Sequence, residues 1–205
     1  MLGASLSMLL GTVSAATPLT PLPWFEFRDY PMKAFEKKAE GVARFELLVA
    51  PDGKVSDCKI SSSSGNRELD DATCYLASKR VKFRPARGAD GQAVWGVYRS
   101  QALWALPEHF ISAPPAADLE VNVNHLPSDT KQPAAVKLAY AVDAQGNPNP
   151  ASCTIMPTSL PQPQVLVQLG CKELLERTPK VPVIGPSGWP VPAVKTGSVL
   201  FKANG

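Results

Sequence analysis

Val42, Phe45, Leu47 and Val49, interleaved with Arg44 and Glu46, predict a β-strand. Pro51-Asp52-Gly53 follows as a turn signal and residues 55–61 as a second strand, so the pair should form a hairpin. Upstream, Met32, Phe35 and Ala39 recur at helical spacing, with Lys33, Glu36, Lys37 and Lys38 elsewhere. That spacing predicts a short helix over 32–40, ended by Gly41. Residues 61–65 are a polar loop. Asn66 suits the N-cap of a helix over 69–81. Residues 85–91 are rich in turn formers. Residues 94–106 predict a long strand with aromatic side chains at 95, 98 and 104.

The same order recurs with weaker signals: a strand over 136–142, a turn over 145–150 and a short strand over 152–156 bounded by Pro150 and Pro157. A helix over 165–177 and a last strand over 191–202 complete it. Residues 74–104 and 171–201 superimpose without a gap at an offset of 97, matching Cys74 with Cys171, Pro85 with Pro182, Gly88 with Gly185 and Val94 with Val191. Cys58 and Cys153 correspond after two extra residues. The repeat predicts two small α+β domains of one type, each an antiparallel sheet with helices packed on one face. Residues 29–106 form the first and 126–205 a degenerate second, joined by a linker over 107–125 whose most linker-like part is Ala113-Pro-Pro-Ala116.

The first 16 residues are apolar and small, and Val13-Ser14-Ala15 suits a signal-peptidase site, although the first positive residue is Arg28. We expect an exported protein of the periplasm, with a signal peptide or a short apolar anchor over 1–16 and a Pro-rich linker over 17–28. Membrane association would run only through an uncleaved N-terminal segment, with inner-membrane anchoring as the alternative to cleavage. The net charge of +3, from 21 basic and 18 acidic residues, points to no nucleic acid and no obligatory anionic membrane.

The four cysteines are the main candidate chemistry. Their spacings of 16 and 18 within each copy fit neither a close metal-ligand pair nor a redox motif. Each copy carries one cysteine on a strand and one on a helix. Cys58 shares strand parity with Ile60, and Cys74 lies near the helix face of Leu69, Thr73 and Ala77. Disulfides Cys58–Cys74 and Cys153–Cys171 are therefore expected; unpaired buried thiols and a metal site are the alternatives. His109 and His125 belong to no catalytic motif, and Asp70-Asp71 reads as helix-start charge. We expect no enzyme, no cofactor and no metal. Lys79, Arg80, Lys82, Arg84 and Arg87 read first as cations at a helix C-terminus and second as a docking surface for acidic groups.

Tyr30-Pro31, Asp52-Gly53, Ser63-Ser64-Gly65, Leu69-Asp70-Asp71-Ala72 and Phe83-Arg84-Pro85, in this order around the predicted elements, resemble the C-terminal domain of TonB, the periplasmic energy transducer of Gram-negative bacteria. The resemblance covers 29–106. The second copy keeps the frame but lacks Tyr-Pro, Ser-Ser-Gly and Leu-Asp-x-Ala. The resemblance implies a protein- or peptide-binding module linked to energy-coupled transport across the outer membrane, with an outer-membrane receptor as a candidate partner. It implies binding by strand addition beside the last strand of the first domain. Asp29, Tyr30, Pro31, Val97, Arg99 and Gln101 are the candidate partner contacts. About a dozen residues separate the apolar start from the domain, reaching about 40 Å at most, so a force-transmitting transducer is the less expected form. The other expectation is a structural adaptor of the envelope, in which the copies pack together and hide the edge.

Overall fold

The structure is a computed structural model that describes residues 12–109, 111, 117–128, 130, 134–157 and 163–204. Residues 1–11 of the expected leader and Ala113-Pro-Pro-Ala116 of the expected linker lie outside the described residues.

The first half follows the hydrophobic pattern closely. Strands β1 (Thr17–Pro18), β2 (Gly41–Val49), β3 (Val55–Ser62), β4 (Phe83–Arg84), β5 (Ala86–Arg87) and β6 (Ala93–Trp104) accompany helices α1 (Met32–Glu36) and α2 (Arg67–Arg80). Strand β2 alternates strictly, burying Ala43, Phe45, Leu47 and Val49 on the α2 side. Asn66 caps α2 through its side-chain oxygen, which accepts from the Leu69 amide. Asp70 accepts from Ser63 Oγ and the Ser64 amide, so the Ser-Ser-Gly loop is tied to the first turn of the helix.

The second half contains β7 (Leu119–Val123), β8 (Ala134–Val142), β9 (Thr154–Ile155), α3 (Gln164–Arg177), β10 (Val183–Ile184), β11 (Pro190–Val191) and β12 (Ala193–Ala203). The cysteine expectation is met: Cys58 bonds Cys74 and Cys153 bonds Cys171, with Cα separations of 5.5 and 6.0 Å.

The α+β class holds, but two separate sheets do not form. Strands from both halves join one eight-stranded sheet in the order β3-β2-β6-β12-β8-β9, with β5 also paired to β6 and β7 to β12. The halves meet where β12 pairs in parallel with β6, at Ala193↔Trp95, Val194↔Gly96 and Lys195↔Val97. Alternation then sorts the core. Val94, Tyr98, Ala102 and Trp104 of β6 pack with α2, together with Val194 and Ala139 from the second half. Trp95 and Val97 pack with Val136, Leu138, Tyr140 and Phe201 under α3. The two helices therefore cover opposite faces of one sheet.

Two expected linkers are built into the fold. Ser14 exchanges both backbone hydrogen bonds with Arg87, and β1 pairs with β4. Val13, Ala15, Ala16 and Trp24 are buried in the first core. Gly96 makes room for this segment, since a Cβ there would lie 2.9 Å from the Ala16 methyl. Cleavage after Ala15 or Ala16 would remove Val13 and Ser14 from these contacts. The 17–28 linker is likewise a packed part of the first half. Strand β7 runs within the expected linker 107–125, in parallel beside residues 199–203 of β12. Among the described residues, no helix is long and apolar enough to cross a membrane.

Candidate functional site

Strand β6 is the backbone of the candidate site. On one side it is hydrogen-bonded to β2 over residues 96–104. Its other side is the predicted free edge. There Thr196 Oγ1 donates to the Val97 carbonyl at 3.1 Å, so Val97 directs its backbone polar groups toward β12. Strand alternation then turns the backbone groups of Arg99, Gln101 and Leu103 to the same side. Of the two expectations, a free edge and an edge hidden by the second copy, each applies to part of the strand. Residues 95–97 are occupied by 193–195, because two apolar sheets gain by burying their last strands against each other. Beyond Val97 no described strand pairs with this side of β6, for β12 turns to β7 from Val199 onward.

The point of separation is a polar knot. The Arg99 guanidinium lies 3.1 Å from Asp118 Oδ1 and 3.4 Å from Glu46 Oε1, and donates to the Thr196 carbonyl at 3.3 Å. Asp118 Oδ2 accepts from the Ser198 amide at 2.7 Å and from Ser198 Oγ at 3.1 Å. Arg99, Glu46 and Asp118 are each less than one-third exposed, so these pairs are only partly screened. Lys195, opposite Val97, is buried and donates to the Val181 carbonyl at 2.7 Å. Burial holds its ammonium below the usual lysine range, with the Arg99 charge adding to the effect. A cleft of about 240 Å³ opens beside the knot, lined among others by Tyr98, Met156, Lys137 and Gly197.

Val97, Arg99 and Gln101 thus share one face and one edge. Val97 is buried, Arg99 is tied in the knot, and Gln101 Oε1 is buried without a hydrogen-bond partner among the described residues. Asp29, Tyr30 and Pro31 sit at the other end of β6. The Tyr30 ring packs on Trp104 with centroids 5.4 Å apart, and its hydroxyl donates to the Ala39 carbonyl. The Pro31 carbonyl accepts from the Ala34 and Phe35 amides at the start of α1. Asp29 makes a bidentate pair with Arg80, at 2.5 and 2.6 Å. That pairing holds the Asp29 carboxyl below its ordinary value. All three residues have internal partners. From Trp104 to Val97 the strand runs about 23 Å, so the two groups do not form one patch.

Of the basic cluster, Lys79 and Arg80 lie in the last turn of α2, where Arg80 bonds Asp29 and the Trp24 carbonyl, whereas Arg87 lies on β5 and donates to the Gly91 carbonyl. His109 Nδ1 lies 2.8 Å from Glu40, whose carboxylate also accepts from the Leu106 amide. The histidine first, then that amide, lower the Glu40 pKa. Among the described residues, no three His, Cys, Asp or Glu side chains converge on a metal position. Glu46, Asp118, Thr196 and Ser198 are residues of the site that sequence reasoning missed. Their partners lie up to 99 positions away, beyond any local motif.

Residues 28–100 match the family model described as the Gram-negative bacterial TonB protein C-terminal, a stretch that runs from just before α1 into β6. Among solved structures, the chain is similar to the solution NMR structure of the Pseudomonas aeruginosa TonB CTD. The two are 22% identical, the alignment covers 47% of this chain and 92% of that one, and the TM-score is 0.36. No curated protein matches the chain.

Proposed function

We propose, taking as premise that residues 28–100 are a TonB C-terminal domain by family match, that this chain is a non-catalytic protein-binding module of the periplasm. It takes an extended protein segment alongside β6, and residues 126–205 act as a degenerate second copy of the same domain. The observation that carries the reading is that β6 already accepts a parallel strand at 95–97 while its backbone groups at 99, 101 and 103 face the same side without a strand partner among the described residues. Backbone pairing supplies affinity in this mode, and alternate side chains supply selectivity. The buried Gln101 Oε1, without a hydrogen-bond partner among the described residues, supports it, since a donor on an incoming segment would satisfy that oxygen.

The occupied part of the edge favours one form of the module over the other. A receptor segment that adds to β6 has only the part beyond Val97 open to it among the described residues. Pairing of residues 95–97 with 193–195 packs the two halves on each other and hides that part of the edge, which supports a structural adaptor of the envelope. We therefore favour the adaptor, with an outer-membrane receptor retained as a candidate partner.

Titration with a TonB-box-like peptide tests strand addition. Gln101→Pro removes the edge-facing amide donor and should weaken binding at least tenfold. Gln101→Ala keeps the donor and should weaken it no more than about threefold. Equal binding by a folded Gln101→Pro variant and by wild type would contradict strand addition at this segment.

A further inference from the structure

We infer that the second half of the chain is a tethered occupant that controls access to β6, released or held by a latch centred on Arg99 and Asp118. This rests on the reading of β6 as a strand-accepting edge. The join between the halves is the shortest seam near the centre of the sheet. Strand β6 is paired with β2 along 96–104, and β12 with β8 along 193–201, but β6 and β12 pair only over 95–97 and 193–195. A seam of that length opens at a lower free-energy cost than either flank, and local opening follows the least-paired segment.

What holds the seam at its open end is the polar knot. Arg99 reaches from β6 to the Thr196 carbonyl on β12 and to Asp118. Asp118 in turn grips the Ser198 amide and hydroxyl, and the Asp118 amide donates to the Ser198 carbonyl at 2.9 Å. Thr196 Oγ1 closes the last link to Val97. Glu46, on β2, faces Arg99 from the other side and fixes its guanidinium. One carboxylate, at the entrance to β7, therefore fastens β12 at Ser198, three residues beyond its last pairing with β6. The cleft of about 240 Å³ beside Tyr98, Thr196 and Ser198 leaves room on that face for the strands to separate. Closed, the chain presents only 99–103 to a partner; open, it presents 95–103. The occupant is this chain's own segment 193–198, and an external segment must compete with it.

The test uses the full chain and a free peptide with the sequence of residues 190–201. In Asp118→Ala, amides at 95–99 and 193–198 should exchange at least tenfold faster than in wild type, while those of 42–48 and 68–79 keep their rates. The peptide should bind this variant about tenfold more tightly than wild type and restore protection at 95–99. Thr196→Val keeps the shape and removes only the hydroxyl donor, so about threefold changes in the same direction are expected, and it serves if Asp118→Ala does not fold. Unchanged seam exchange in the folded variants overturns the latch, whatever the peptide does. Faster exchange with no protection by the peptide overturns the proposal at its premise, since β6 would then open without accepting a strand.

Discussion

The two halves of the molecule use the same order of elements but close their cores differently. The first half is aromatic: Trp24, Phe45, Phe83, Tyr98 and Trp104 crowd one face, and the buried Trp104 indole donates to Thr73 Oγ1 at 2.8 Å. The second half relies on small residues that let the helix approach the sheet. A Cβ at Gly197 would lie 2.6 Å from Leu174 Cδ2. The outer strands differ too, with β3 spanning Val55–Ser62 and β9 only Thr154–Ile155. Strand β12 is buried without interruption over residues 193–201, the mark of a central strand covered on both faces. Part of that cover comes from the first half, whose core includes Val194 and Ala139. The difference teaches that the second half leans on the first.

The disulfides give the largest lever on that comparison. Replacing Cys153 and Cys171 by Ala should cost about 3 kcal/mol in urea unfolding, and replacing Cys58 and Cys74 a similar amount. In a shared sheet, loss of the second bond should also reduce amide protection at 95–97. Unfolding of the second half with protection at 95–97 intact would break the dependence argued above.

A smaller effect separates the two packing styles. Gly197→Val should destabilise the chain by about 2 kcal/mol, because the fully buried Leu174 cannot move aside without disturbing α3. Chemical denaturation measures the loss, and chemical shifts of α2 should stay in place. The smallest effect reports on the first half alone. Arg80 holds the Asp29 carboxyl below its ordinary value, so its contribution is complete above the unfolded-state value of about 3.9. It is lost as pH falls through the lower folded value. Wild type should therefore lose stability more steeply than Asp29→Asn as pH drops below about 4, which urea midpoints across an acid series would measure.

Much of the first half is legible in the sequence because its signals are local. The alternation of β2, the Asp52-Gly53 turn and the Asn66 cap each specify their own neighbourhood, and α2 begins two residues before its predicted start. The cysteine pairing is expected from one strand and one helix position per copy; this holds for Cys58 on β3 and Cys74 on α2, whereas Cys153 lies just before β9 and bonds Cys171 on α3. The join of the halves has no such signal. Lys195, Thr196 and Ser198 make β12 read as a half-exposed strand, yet each is buried because its polar group finds a distant partner in Val181, Val97 or Asp118. Residues 13–16 read as part of a leader, and nothing local in the sequence signals the pairing of Ser14 with Arg87 or the packing of Ala16 on Gly96. Strand β7 did carry a signal, the alternation of Leu119, Val121 and Val123, within a segment whose prolines argued for a linker. At the candidate site, the backbone direction of Val97, Arg99 and Gln101 follows from alternation alone. The knot that engages Arg99 does not, since it is assembled from four separate stretches of chain.

The central claim is that β6 and β12 run side by side in one sheet. Solution NMR tests it most directly through interstrand backbone NOEs between residues 95–97 and 193–195. The account predicts a parallel-strand pattern linking Trp95, Gly96 and Val97 with Ala193, Val194 and Lys195. Two folded halves lacking these NOEs and tumbling independently would contradict it.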